Sequence, residues 1–166
     1  MSGKTPEPLE KNSALFICLG NICRSPIAEA VFRHLVKERG IEDKWVIDSA
    51  ATGNWHTGGS PDDRAMRVLK SNGITYSHIV RQIGDSDFEE FQWIFGMDDD
   101  NISDIKEVAP PGHKSKILLL GSFDPKGETE IRDPYYDRND KGFFKCYEQC
   151  LRDCNAFLDE VMGKTP

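Results

Sequence analysis

A chain of 166 residues that is 38% apolar and 30% charged lies outside the low-hydrophobicity, high-charge region of disordered chains, and it is long enough for one well-cored domain. Its 21 basic and 28 acidic residues give a net charge of −7 with no basic cluster, which excludes nucleic acid and anionic membrane as main partners. No apolar run is long enough to span a bilayer, and five cysteines, an odd count, make a poor disulfide framework, so free thiols in a cytoplasmic protein are expected.

Residues 1–12 are polar and proline-bearing, without the apolar core of a secretory signal, and read as a flexible N-terminal tail before a single domain over 13–166. Ala14 to Leu19 is an apolar run of strand length. After Gly-Asn, Ser25-Pro26 reads as an N-cap with proline at the first helical position. The predicted helix carries Ile27, Val31, Leu35 and Val36 on one face to about Arg39, and Gly40 closes it. Trp45 to Ile47 predicts a second short strand. Ser60-Pro61-Asp62-Asp63 opens a second helix, which Asn72-Gly73 stops. Phe91 to Met97 and Lys116 to Leu120 are further strand candidates, each followed by a helical pattern. Strands and helices alternating at this spacing predict an α/β fold, a flavodoxin-like doubly wound sheet of about four parallel strands with helices on both faces. Ligands in such sheets sit at the carboxyl ends of strands where the winding reverses, which directs attention to the loop after the first strand.

That loop reads Cys18-Leu19-Gly20-Asn21-Ile22-Cys23-Arg24-Ser25-Pro26. Five residues curled into a helix start can aim their N–H groups inward as a nest for a tetrahedral oxyanion, strengthened by the positive end of the helix dipole. Cys18 lies beneath such an anion, and the same field favours its thiolate form. Gly20 and Asn21 are residue types that tolerate a left-handed backbone. Arg24 can hold two phosphate oxygens through its planar fork, and Ser25 can donate its hydroxyl to the sulfur. Chance alone supplies about 0.27 Cys-x5-Arg pairs in this composition, so the spacing decides little. Cys146 and Arg152 share it inside a predicted helix, where the backbone N–H groups are already used. The preceding strand and the following helix start set the first pair apart. A thiolate attacking phosphorus also needs a proton donor for the leaving oxygen. Asp133-Pro134-Tyr135-Tyr136 supplies a carboxyl in a stiffened loop, with two tyrosines able to wall a slot for an aromatic ring.

With these motifs the chain resembles the low-molecular-weight protein tyrosine phosphatases from Ser13 to about Met162. The run from Cys18 to Ala30 is similar to the family's signature throughout, and Asp48-Ser49-Ala50, Arg81-Gln82, Met97-Asp98 and Asp133 to Tyr136 fall in the family's order. The resemblance implies that Cys18 is the nucleophile, Arg24 the phosphate clamp, Asp133 the general acid and Ser25 a stabiliser of the thiolate. Leu19, Gly20, Asn21, Ile22 and Cys23 then form the phosphate-binding loop, with Asn21 held through Ser49 and His78. Trp55 falls on the rim of the slot opposite Tyr135 and Tyr136. Hydrolysis of phosphotyrosine proteins through a phosphocysteine is implied, without metal or cofactor, and with phosphate and vanadate as competing ligands. A reversible Cys18–Cys23 disulfide protecting the nucleophile is implied as well. A monomer, or a weakly self-associating protein, is expected.

Other residue groups carry simpler readings. Cys146, Cys150 and Cys154 recur every fourth residue without a histidine or Cys-x2-Cys, which suits core packing rather than metal. Asp98-Asp99-Asp100 reads as capping and solvation at a helix start, and His34, His56 and His113 as surface residues without partners. Three other functions share parts of the pattern. An arsenate reductase of the same fold needs further cysteines, and none lies between Cys23 and Cys146. A non-catalytic phosphotyrosine-binding module has no use for both Cys18 and Asp133, and a thiol redox sensor has no use for a phosphate-shaped loop.

Overall fold

The computed structural model describes residues 11–164. Strands β1 (Asn12–Cys18), β2 (Trp45–Ala51), β3 (Trp93–Gly96) and β4 (Lys116–Leu119) form one parallel sheet in the order β2-β1-β3-β4. Helices α1 (Arg24–Glu38), α2 (Asp63–Ser71), α3 (Asp87–Glu90), α4 (Asp99–Val108) and α5 (Lys141–Met162) complete the fold. Because side chains alternate across a strand, β1 feeds two cores. Ala14 and Phe16 pack with buried residues of α1, α2 and α5, while Leu15 and Ile17 pack with Phe88 of α3 and Ile105 of α4. In β3, Phe95 joins the first core and Ile94 the second. This is the doubly wound α/β arrangement expected from the alternation, with both sheet faces covered.

The first core is dominated by aromatic rings in edge-on contact. Phe157 of α5 meets Phe95 at 4.9 Å and Trp93 at 5.3 Å between ring centroids, and Phe32 of α1 meets Trp45 at 5.0 Å. Such pairs add about 0.5–1.5 kcal/mol each beyond the area they bury. They fix α1 and α5 against the sheet. Cys146, Cys150 and Cys154 are all buried on the inner face of α5, as core packing requires.

Several boundaries differ from the sequence expectations. Residues 1–10 of the expected tail lie outside the described residues, and Asn12 already pairs with Trp45 as the first residue of β1. Strand β2 runs four residues beyond Ile47, because it matches β1 in register along its whole length, and the polar Asp48 and Ser49 hide its continuation in the sequence. Helix α3 takes up residues before β3, so Phe91 closes a helix rather than opening a strand. Helix α1 begins at Arg24, two residues before Pro26, and Ser25 is not its cap: Cys23 occupies that position without a side-chain capping bond. Ser25 is committed elsewhere.

Strand β1 lies between β2, which it reaches through α1, and β3, which follows from the opposite side of the sheet. The winding therefore diverges at the carboxyl end of β1, opening a crevice over Cys18.

Candidate active site

Cys18 ends β1, and Arg24 opens α1 six residues later. The turn between them is shaped by Asn21, the one residue other than glycine with positive φ among the described residues, at +56°. Asparagine tolerates this left-handed conformation when its side chain is held. Its Nδ2 donates to Ser25 Oγ at 2.7 Å and to Ser49 Oγ at 3.0 Å, while its Oδ1 accepts from His78 Nε2 at 2.7 Å. Ser49 in turn donates to Glu29 Oε1 at 2.7 Å. Ser49 and His78 thus support the loop as expected, with Glu29 as a further member that sequence reasoning did not single out. The loop's N–H groups from Leu19 to Cys23 find no acceptor among the described residues. Thr52 and Gly53 donate to the carbonyls of Cys18 and Leu19, and Asp62 to that of Ile22, so the outer side of the turn is pinned.

Two donors converge on the Cys18 sulfur. Ser25 Oγ lies 3.0 Å away and the Ser25 N–H 3.5 Å away. Since Ser25 Oγ accepts from Asn21, its proton is left to point at sulfur, an arrangement that stabilises a sulfur anion. Neighbouring Cys23 is also buried, and its thiol is pushed far up by desolvation and by the nearby Asp62, Cys18 and Asp133. The two cysteines are free thiols, so the Cys18–Cys23 bond is not formed in this state.

Arg24 is buried. Burial works against its charge, but Cys18, Asp98 and Asp133 outweigh that effect and hold the guanidinium protonated. Its Nη1 donates to Asp98 Oδ2 at 2.5 Å and to the Ile131 carbonyl at 3.0 Å, whereas Nε has no partner among the described residues. With Nη1 committed, the edge formed by Nε and Nη2 remains for a ligand. Asp98 therefore does more than cap α4: its Oδ1 accepts the Asn101 N–H while Oδ2 grips Arg24. Position after β3 was the only available sequence signal for this role, since strand ends surround the crevice.

Asp133 Oδ2 sits 3.8 Å from Arg24 Nη2, and Oδ1 accepts the Tyr135 N–H at 3.0 Å. The loop that carries it is tied down at several points. Ile131 N–H donates to the Met97 carbonyl at 2.8 Å, and Arg64 donates to the carbonyls of Tyr135 and Asp137, both at 2.9 Å. Arg132 pairs with Asp137 at 2.6 Å.

Cys18, Leu19, Gly20, Ile22, Cys23, Arg24, Asp133, Trp55, His56, Tyr135 and Tyr136 line one cleft of about 410 Å³. The structure thus gathers every expected nucleophile, clamp, acid and rim residue around one space. The tyrosines are less packed than a buried slot implies: Tyr135 is 38% and Tyr136 88% exposed, so they form an open wall. Trp55, 69% exposed, stands on the rim with its ring over Gly53, where a β-carbon would come within 1.8 Å of it. His56 is at the mouth, close to Gly20, rather than simply on the surface. His34 also has a partner, Glu38 one helical turn on, at 2.7 Å. Among the described residues no helix is long and apolar enough to cross a membrane.

A model of the family described as low molecular weight phosphotyrosine protein phosphatase matches residues 13–165. The chain is 50% identical over 153 residues to the "Low molecular weight phosphotyrosine protein phosphatase" of Gallus gallus, covering 91% of this chain and 96% of that protein. The crystal structure of Primo-1 superposes with a TM-score of 0.87 at 47% identity, covering 91% of this chain and 99% of that one. A protein tyrosine phosphatase from Entamoeba histolytica, with Hepes in its active site, also gives 0.87 at 36% identity, covering 92% and 97%.

Proposed function

The chain belongs to the low molecular weight phosphotyrosine protein phosphatase family, and from that premise we propose a role for each residue of its cleft. It is a protein tyrosine phosphatase. Cys18 attacks the phosphorus of a phosphotyrosine in line with the departing phenol. The unpaired loop N–H groups and the Nε–Nη2 edge of Arg24 hold the three equatorial oxygens, whose charge grows in the transition state. Asp133 delivers its proton to the phenolic oxygen. The phosphorus–sulfur bond formed in this step is broken in the next, when Asp133, now a carboxylate, takes a proton from water as its oxygen attacks phosphorus. Free phosphate leaves and the Cys18 thiolate is restored, stabilised by the Ser25 hydroxyl.

One observation carries this reading above the others: the Cys18 sulfur, receiving two donors from Ser25, shares a cleft with an arginine whose free edge is oriented by Asp98 and Ile131 and with a carboxyl beside that edge. Trp55, Tyr135 and Tyr136 supply aromatic walls for the substrate ring. Small aryl phosphates fit the same space, phosphate and vanadate compete for the loop, and no cofactor takes part. The protein works in the cytoplasm on phosphotyrosine proteins, as a monomer or with weak self-association. Cys18→Ser tests the assignment: turnover of p-nitrophenyl phosphate at mildly acidic pH is expected to disappear while phosphate binding persists. Normal turnover by that variant would overturn it.

A further inference from the structure

The nucleophile and the acid come from loops far apart in the chain, and the start of α2 touches both. Asp62, the residue before α2, donates its N–H to the Ile22 carbonyl of the phosphate loop at 2.8 Å. Its Oδ1 caps the helix by accepting the Arg64 N–H at 2.8 Å. The same carboxylate takes the Arg64 guanidinium in a fork, Nε to Oδ1 and Nη2 to Oδ2, both at 3.0 Å. On its other side Arg64 reaches 71 positions along the chain, where Nη2 donates to the Tyr135 carbonyl, and Nη1 donates to that of Asp137. Four of the five guanidinium N–H groups are thereby used. The guanidinium carbon also lies 4.5 Å from the centre of the Phe143 ring of α5, a contact that fixes the plane of the fork. Burial pushes the Asp62 carboxyl up, but the bonds from Arg64 outweigh it and hold its pKa below the usual value, so the pair stays charged at mildly acidic pH.

We propose that Arg64, oriented by Asp62, is a positioning residue that sets the reach of Asp133 towards the leaving oxygen; this rests on the assignment of Asp133 as the general acid. The Asp133 side chain is 36% exposed, and the Tyr135 N–H, at 3.0 Å from Oδ1, is its one hydrogen-bond partner among the described residues. Its placement therefore depends on the backbone of its own loop. Tyr135 is the point of leverage, because its N–H holds the acid while its carbonyl is held by Arg64. Oδ2, the oxygen 3.8 Å from Arg24 Nη2, is left to carry the proton. Arg132, paired with Asp137, stiffens the loop from within but does not tie it to the nucleophile's side. At Gly142 in the first turn of α5 a β-carbon would come within 2.1 Å of Asp137 Oδ2 and 3.0 Å of Pro134 Cβ, so the loop rests directly on that turn. One continuous bridge thus runs from Ile22 through Asp62 and Arg64 to Tyr135, and it fixes the acid relative to the sulfur. A misplacement of about 1 Å can cost roughly 10²-fold in rate. Lysine, a single point charge, cannot make the fork and reach two carbonyls at once.

Steady-state kcat/KM for two aryl phosphates tests the role. Phenyl phosphate releases a phenol that must gain a proton as the bond breaks, whereas 2,4-dinitrophenyl phosphate releases an anion stable enough to leave without one. Arg64→Ala is expected to lower kcat/KM for phenyl phosphate at least about tenfold and that for the dinitrophenyl ester less than about threefold, with competition by inorganic phosphate retained. Asp62→Asn keeps a helix cap but loses the charged fork; it is expected to act in the same sense and by less, and it gives the answer if the alanine variant does not fold. In the Asp133→Ala background, Arg64→Ala is expected to add no further loss with phenyl phosphate, since the group it positions is gone. No change, an equal loss on both substrates, or a full additional loss in that background overturns the proposal and leaves the role of Asp133 standing. If Asp133→Ala by itself does not discriminate between the two substrates, the acid assignment falls and the positioning role falls with it.

Discussion

Asp153 lies on α5 with its side chain fully buried, and neither carboxyl oxygen has a partner among the described residues. Desolvation, reinforced by Asp124 and opposed by Arg152, raises its pKa from 3.8 to about 7. Arg152 gives little relief because its guanidinium is spent on Asp124, at 2.7 and 2.9 Å. The folded protein therefore holds Asp153 protonated at acidic pH, while the unfolded chain ionises it near 3.8. A raised carboxyl pKa costs nothing below the unfolded value, then costs stability increasingly as pH climbs, and levels off above the folded value. Over the interval from 3.8 to about 7 the cost reaches about 4 kcal/mol, at 1.36 kcal/mol per pH unit. Asp153→Asn removes the ionisation and leaves every other titrating group common to both proteins. Urea unfolding of the two at a series of pH values is the assay, with the variant's advantage expected to grow by about 2.3 kcal/mol between pH 5 and pH 7, the slope easing as the folded-state pKa is reached. Parallel stability profiles over that range would refute the reasoning, whatever the absolute offset between them.

Asp133→Ala is expected to slow turnover of p-nitrophenyl phosphate by about 10²–10⁴-fold, measured by steady-state kinetics. Asp98→Asn weakens the grip on Arg24 Nη1, and a fall in kcat/KM of about tenfold or more, with weaker competition by phosphate, is expected from the loss of one charge-assisted bond. Asn21→Ala deletes the bonds to Ser25, Ser49 and His78 at a left-handed position; a drop in kcat and loss of vanadate affinity, with the fold retained by circular dichroism, is the expected result. Since no step is assigned to a metal, incubation with a chelator is expected to leave turnover unchanged.

The readable parts of the fold were those in which one physical signal was strong. The apolar run ending at Cys18 and the helix stop at Gly40, which has φ of +71°, stand out against their surroundings, and the loop between β1 and α1 carries its chemistry in consecutive residues. The continuation of β2 past Ile47 is hidden because Asp48 and Ser49 look like a strand end; they are polar because they turn towards Arg81 and Asn21. Ser-Pro is a strong local signal for a helix cap, but at Ser25 the tertiary demand for a donor at the Cys18 sulfur prevails. The pairing of Arg24 with Asp98 spans 74 positions, and no local pattern encodes it. His56 illustrates the same gap: as an isolated histidine it suggested only a surface position, and its place at the cleft mouth follows from the turn after Gly53.

The loop carrying Asp133 is fastened by Ile131 to Met97 and to Arg24, and beyond the acid by Arg64. A proton donor anchored on both sides need not swing into place before it can act. Diffusional drag on a closing flap thus drops out of the rate, and thickening the solvent should leave the chemical step unslowed. What specificity the enzyme has must come from what fits a doorway already open.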